Sequence, residues 1–289
     1  MRSIRFCISI LWLTIGCMSA AFAASDLHRD AVASRALQRD LAMLVYLPDG
    51  YDGSTQKYPV LYLLHGASDT EQAWIDDANI QGKLDNLISS GAMAPSIVVM
   101  PGCKGCWWVD SPGSKMETAF WSDLVPQLEN RYRADGTGGG RFLLGISAGG
   151  HGAVRFAMKY PGRITAVAAL SPAAYHATPP VTSCARQSEA FRGADGQFSQ
   201  DLWAANNYTN FIQEFAGRHS PLPIYLLSGD SDLHKIGFET TLLFNALHDI
   251  QPEVTKLRIV DGGHTWGVWA PALDDAIRYL YRPIGAGHA

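Results

Sequence analysis

No run of lysines or arginines stands anywhere in this sequence. Its 23 basic residues are outnumbered by 27 acidic ones, for a formal net charge of −4. That balance excludes the basic footprint of a nucleic-acid-binding protein. Cysteine is scarce too, five in 289 residues, with Cys7 and Cys17 near the start. Cys103-Lys-Gly-Cys106 has no second ligand pair at a spacing that would hold zinc, and no thioredoxin-like context for redox chemistry. No metal or cofactor is expected. Cys103, Cys106 and Cys184 suit one disulfide and one leftover thiol, either as a Cys103–Cys106 loop staple or with one of them joined to Cys184. Past residue 18 no apolar stretch approaches the ~20 residues of a membrane span. Internal repeats and long low-complexity tracts are also missing.

The first residues carry a different signal. Arg2 and Arg5 precede an apolar run from Phe6 to Met18, and Ala21-Phe22-Ala23 is a small-x-small cleavage site. This pattern reads as a secretory signal peptide, residues 1–23, and a lipobox around Cys17 is poorly matched by Thr14-Ile15-Gly16. A soluble protein exported to the periplasm or the medium is expected. About 266 residues would remain, enough for one large α/β domain over 24–289.

From residue 41 on, short apolar runs alternate with helical periodicities. Strands are expected at Leu41–Leu47, Val60–Leu64, Ile97–Met100, Phe142–Ile146, Ile164–Leu170, Ile224–Leu227 and Val254–Val260. Helices are expected at Asn79–Ser90, Glu117–Arg133 (despite Pro126), Ala153–Tyr160, Phe238–Ile250 and Gly267–Tyr281. Such alternation implies an α/β fold, a mostly parallel sheet with helices on both faces. Residues 25–40 read as a polar lead-in to the sheet. Residues 173–220, rich in Pro, Asn, Gln, Ser and aromatics, break the rhythm and read as an insertion or lid-like segment over the site.

In a parallel sheet the chemistry collects at the carboxyl ends of the strands. One such end is Gly145-Ile-Ser147-Ala-Gly149, a G-x-S-x-G pattern between an apolar strand and a helix. It is the sequence of a nucleophile elbow, in which strand and helix nearly touch and a Cβ at Gly145 or Gly149 would collide. A serine hydroxyl needs a base to take its proton. His264, in Asp261-Gly-Gly-His264-Thr-Trp after a strand end, has the position and the Gly-Gly freedom to turn inward. His151, one turn into the elbow helix, reads as a packing residue. An acid must fix the imidazole tautomer. Gly229-Asp230-Ser231-Asp232 offers Asp232, with Asp230 as an alternative that could instead bond backbone amides in the turn. The oxyanion needs two N–H donors, assigned to the backbone amides of Ala148 and, in the His65-Gly66-Ala67 turn, Ala67. His65 itself reads more as a shaper of that turn than as a proton carrier.

These motifs, with Leu63-Leu64-His65-Gly66-Ala67, Trp74, Val98-Val-Met-Pro101, Trp108-Val-Asp110 and Gly263-His264-Thr-Trp266, resemble those of the putative esterase family, the esterase D-like branch of the α/β-hydrolases. That family includes feruloyl and acetyl esterases, S-formylglutathione hydrolases, enterochelin esterases and mycolyltransferases. The resemblance spans roughly residues 35–283. It implies the α/β-hydrolase fold, nucleophile, acid and base roles for Ser147, Asp232 and His264, and an acyl-ester substrate. The Cys103–Cys106 insertion and the 173–220 segment depart from the usual pattern, and both border the expected pocket. His65, Trp108, Tyr175 and Trp266 are candidate substrate-binding residues. The expected activity is that of an exported serine carboxylesterase acting on a small-molecule or carbohydrate-linked ester through an acyl-enzyme. Acyl transfer to a sugar or other alcohol, and siderophore ester hydrolysis, are the alternatives. S-formylglutathione hydrolysis is disfavoured by the export signal. The oligomeric state is not legible.

Overall fold

The apolar runs assemble into one eight-stranded sheet in the computed structural model, which describes residues 24–282 apart from Lys104 and His219. The expected signal peptide lies outside the described residues. The sheet contains β1 (Asp26–Ser34), β2 (Arg39–Leu47), β3 (Val60–Leu64) and β4 (Ile97–Pro101). A small hairpin, β5 (Asp110–Ser111) and β6 (Ser114–Lys115), stands apart from it. The sheet is completed by β7 (Arg141–Ile146), β8 (Ala166–Leu170), β9 (Ile224–Gly229) and β10 (Thr255–Val260), in the order β1-β2-β4-β3-β7-β8-β9-β10. From β4 to β10 every pairing is parallel, while β1 and β2 add an antiparallel edge.

The helices in chain order are α1 (Ala73–Asp76), α2 (Ile80–Ser89), α3 (Met116–Thr118), α4 (Val125–Arg131) and α5 (Ala148–Lys159). They are followed by α6 (Gln200–Asn206), α7 (Ile212–Ala216), α8 (Ile236–His248) and α9 (Trp266–Leu280). Strand alternation sorts the core into two layers. Val60, Tyr62 and Leu64 of β3 face the side covered by α5 and α8, with Val154, Phe156, Leu243 and Leu247. Leu61 and Leu63 face α2 and α9, with Leu84, Leu87, Leu273 and Ile277. Both faces are dry, which is why these strands read as unbroken apolar runs. No helix among the described residues is long and apolar enough to cross a membrane.

Three elements differ from the sequence reading. Residues 26–34 are not a lead-in but a full strand, paired with β2 over nine positions. Its Asp26, His28, Arg29 and Asp30 hid it, since charged residues are what an exposed sheet edge carries. The expected Glu117–Arg133 helix is α3 and α4 joined by a π-helical segment, Ala119–Leu124. Pro126 has no N–H to continue the α pattern, and the wider turn absorbs that gap. Helix α5 begins at Ala148 rather than Ala153, because Gly149, Gly150 and Gly152 hide a helix whose glycines are required by packing.

A third apolar cluster caps the carboxyl ends of the strands. It joins Trp107 and Val109 to Tyr175, Phe191, Trp203 and Ile236, drawing on the irregular segment 173–220. The later part of that segment, Tyr208, Ile212 and Phe215, packs instead into the main core beside α5. A buried ion pair fixes α5 from its other end. Arg155 lies 2.7 Å from Glu117, both side chains at most 5% exposed, and Lys159 lies 2.6 Å from the same carboxylate. Burial raises the Glu117 pKa, but Arg155 and the Lys159 and Tyr160 hydrogen bonds outweigh it and leave it lowered.

Removing one partner of a buried pair strands the other charge, so Glu117→Ala is expected to lose about 3–5 kcal/mol of stability in urea unfolding. His151, within α5, is enclosed by Trp107, Phe191 and Trp203. Burial, helped by Arg155, pushes its pKa down to about 3. An unfolded histidine takes its proton near pH 6.5, so the unfolded chain binds more protons below that pH. The stability from neutral His151 is therefore complete above about pH 6.5 and lost as pH falls toward 3, by up to about 1.4 kcal/mol per pH unit. In His151→Phe, stability measured from pH 7 to 4 should fall less steeply than in wild type by that amount. Parallel curves would refute this.

Candidate active site

Ser147 stands at the tip of the turn between β7 and α5, with φ 53° and ψ −118°. A non-glycine residue there is strained by about 1–3 kcal/mol. Three backbone hydrogen bonds hold it: its N–H donates to the Leu170 carbonyl, and its own carbonyl accepts from His151 and Ala173, each at 3.0 Å. The turn is as tight as the sequence implied. A Cβ on Gly145 would come 2.1 Å from the Gly149 carbonyl oxygen, and one on Gly149 would come 1.9 Å from that of Leu64.

Two other strand ends deliver the partners. Past β9 the chain turns through Gly229-Asp230-Ser231, and past β10 through Asp261-Gly-Gly. The two turns nearly touch: Ser231 N–H donates to the Gly262 carbonyl at 2.9 Å, and a Cβ on Gly229 would stand 2.2 Å from that oxygen. Gly262 adopts φ 130°, which a side chain would resist. This crossing sets Asp232 against His264. His264 Nδ1 lies 2.7 Å from Asp232 Oδ2, and His264 Nε2 lies 2.8 Å from Ser147 Oγ. A carboxylate only accepts, so Nδ1 carries the proton and Nε2 offers its lone pair to the serine hydroxyl.

Asp232 has a side chain only 1% exposed. Burial pushes its pKa up, yet the His264 hydrogen bond and charge, with the His234 amide and ring, leave it below the ordinary value. It stays ionised through the mildly acidic range. Asp230 takes the other role the sequence offered: its carboxylate accepts from Gly262 N–H and the Ser231 hydroxyl in the turn. The His264 ring is wedged edge-on between Trp269, at 4.9 Å, and His234, at 5.2 Å.

Ala148 is the first residue of α5, so its N–H has no acceptor within the helix. The Gly66–Ala67 turn approaches from β3, where a Cβ on Gly66 would lie 3.4 Å from Ser147 Cβ. Ala67, Trp107, Ser147, Tyr175, His234 and His264 border a cavity of about 200 Å³, which Thr182, Ser183 and Cys184 close from the irregular segment. Trp107 also lines a wider groove of about 770 Å³, with Arg39, Lys115 and Glu189 on its walls.

Of the four substrate-binding candidates, only Tyr175 borders the cavity. His65 is fully buried, and its Nδ1–H donates to the Gly66 carbonyl while its Nε2 accepts from Cys103 N–H. Burial lowers its pKa, so it is a neutral brace under the turn. Trp108 is also fully buried, at φ 57°, and donates its indole N–H to the His65 carbonyl. Trp266 packs edge-on against Trp74 and Trp269, away from the cavity. The tryptophan pair thus divides: Trp107 forms the wall and Trp108 the support. His234 and Ile236, both on the wall, carried no sequence signal beyond their nearness to Asp232. Cys103 and Cys106 form the disulfide, with Cα atoms 5.6 Å apart, and Cys184 is free.

Comparison with known proteins agrees with this architecture. Esterase Rv1288 of Mycobacterium tuberculosis is 34% identical over 134 residues, 44% of this chain and 28% of that protein. An endo-1,4-beta-xylanase/feruloyl esterase of Xylanibacter ruminicola is 34% identical over 119 residues, 37% of this chain and 16% of that protein. This chain therefore spans under a third of the curated relatives it matches. Among solved structures, a ferulic acid esterase superposes with TM-score 0.74 at 25% identity, covering 90% of this chain and 98% of that one. An S-formylglutathione hydrolase from Agrobacterium tumefaciens shares the fold, with TM-score 0.69 at 18% identity over 89% of this chain and 95% of that one. The fold is that of the α/β-hydrolase-like esterases. A family model described as Putative esterase matches residues 34–280, and the chain belongs to that family.

Proposed function

We propose that this chain is an exported serine carboxylesterase that hydrolyses a carboxylic ester through an acyl-enzyme. The observation that carries the reading is the hydrogen-bonded series from Asp232 through His264 to Ser147, 2.7 and 2.8 Å, ending on a strained elbow serine beside a cavity. His264 Nε2 takes the Ser147 proton as Oγ attacks the ester carbonyl. Asp232 holds the tautomer and balances the imidazolium. The amides of Ala67 and Ala148 face the developing oxyanion. His264 then gives the proton to the leaving alcohol, and water repeats the sequence on the acyl-enzyme.

A cavity near 200 Å³ is smaller than the roughly 300–1,000 Å³ of drug-sized sites. It suits a short acyl chain or a single aromatic ring, and Trp107 and Tyr175 support an aromatic one. The relatives named for feruloyl esterase activity point the same way. Export rests on the N-terminal pattern of residues 1–23. We read residues 24 onward as one domain in which 182–184 close the cavity.

Hydrolysis of p-nitrophenyl esters from acetate to decanoate, with methyl ferulate alongside, tests the reading. Ser147→Ala should lower kcat by roughly 10⁵–10⁶-fold and abolish labelling by a fluorophosphonate. Asp232→Asn should cost about 10⁴-fold by leaving His264 in the wrong tautomer, whereas Asp230→Asn should stay within about threefold of wild type. Because the Asp232 pKa is lowered, protonation of Asp232 should not limit kcat/KM in the mildly acidic range, which a kcat/KM profile from pH 5 to 8 checks. Wild-type turnover that survives Ser147→Ala would refute the nucleophile.

A further inference from the structure

The disulfide between Cys103 and Cys106 takes no part in the reaction above, yet a short run of hydrogen bonds ties it to the Gly66–Ala67 turn. Cys103 N–H donates to His65 Nε2 at 3.0 Å, which leaves the ring proton on Nδ1, where it donates to the Gly66 carbonyl at 2.8 Å. Asp69 N–H donates to the same carbonyl at 3.1 Å. The Gly66 C=O and the Ala67 N–H belong to one planar trans peptide unit. Donors that fix the carbonyl therefore also fix the N–H, which points the opposite way. The His65 ring is fully buried, so the Cys103 amide decides its tautomer. Without that donor the proton could pass to Nε2, and a lone pair would face the Gly66 carbonyl.

The bond joins residues three apart in sequence, with Cα atoms 5.6 Å apart. So short a loop restrains little of the unfolded chain, and the cross-link acts mainly on local geometry. Trp107, the next residue after Cys106, is held independently by edge contacts with His151, Phe191 and Trp203. What depends on the cross-link is thus the Cys103 side. Both cysteines line the wide groove, and Cys106 is the more exposed of the two, which opens the bond to a small thiol.

We propose that the Cys103–Cys106 disulfide is a positioning element that aims the Ala67 N–H through His65, so that its reduction slows turnover. The proposal rests on the serine esterase reading and on Ala67 as an oxyanion donor. With a dithiol the exchange balances: one thiolate attacks the Cys106 sulfur, the S–S bond breaks, and the second thiol displaces Cys106 from the mixed disulfide. The reagent ends as a disulfide, and two electrons and two protons pass to the cysteine pair.

Ester hydrolysis is compared in wild type and in wild type reduced with dithiothreitol and then freed of it. Iodoacetamide mapping should find Cys103 and Cys106 alkylated only after reduction. Reduction should lower kcat about tenfold, short of the roughly 10²–10³-fold cost of deleting an oxyanion donor. KM should stay within about twofold, since the donor acts on the transition state, and far-UV circular dichroism should not change. Reoxidation should restore kcat. The double variant Cys103→Ser/Cys106→Ser should start at the lower kcat and ignore dithiothreitol, a result that thiol chemistry at Cys184 cannot produce. A kcat indifferent to reduction, cysteines that alkylate without it, a rise in KM in place of a fall in kcat, or a loss that tracks the circular dichroism signal would each overturn the proposal. If the double variant fails to fold, reduced and reoxidised wild type decides alone. Fluorophosphonate labelling keeps the two readings apart. Labelled, active wild type whose kcat ignores reduction sinks the disulfide proposal only. Unlabelled, inert wild type sinks the serine reading and this proposal with it.

Discussion

The Cα of Gly149 sits so close to the carbonyl of Leu64 that no side chain fits between them. Much of the site follows from that contact. It brings the start of α5 onto the end of β3, next to the Gly66–Ala67 turn. Further along the helix, Gly152 admits Trp108, whose Cβ would meet a Gly152 Cβ at 2.5 Å. Trp108 in turn holds the His65 carbonyl, and His65 holds the Cys103 amide. Backbone and buried side chains thus brace the turn proposed to receive the oxyanion. An unfavourable serine conformation of about 1–3 kcal/mol is set against three backbone hydrogen bonds of about 0.5–1.5 kcal/mol each.

Asp232 and His264 come from elsewhere, and their meeting depends on a different close approach. The turns after β9 and β10 cross at Gly229 and Gly262, on adjacent parallel strands paired from Thr255–Ile224 to Val260–Gly229. That register makes the two strand ends level, so a residue three past Gly229 and one four past Val260 reach each other. The 2.7 Å contact of Asp232 with His264 is thus set by sheet register as much as by the side chains.

The central strands were legible because they are apolar on both faces, and Ser147, Asp232 and His264 because elbow, strand ends and glycines leave local signatures. What was missed obeys other physics. Strand β1 is stabilised by its ladder with β2 and carries edge charges, so composition disguised it. Helix α5 begins in glycines that propensity disfavours and packing requires. The sequence pair Trp107-Trp108 does not say which indole faces the cavity; the positive φ of Trp108 decides, and only the folded chain shows it. His65, Trp108 and Trp266 looked like binding residues because aromatic and imidazole groups near a site serve equally well as braces. His234 sat two positions from Asp232, yet only the loop's return onto that carboxylate turns its ring inward.

Trp107 belongs to two hollows at once. Trp107, 1% exposed and packed edge-on against Phe191 and Trp203, lines both the small cavity and the wide groove. It touches none of the hydrogen bonds joining Asp232, His264 and Ser147. The room available to a substrate is thereby separable from the chemistry. Trp107 is common to the linings of both hollows, so a smaller residue at this position would enlarge the space beside Ser147 while leaving those hydrogen bonds in place.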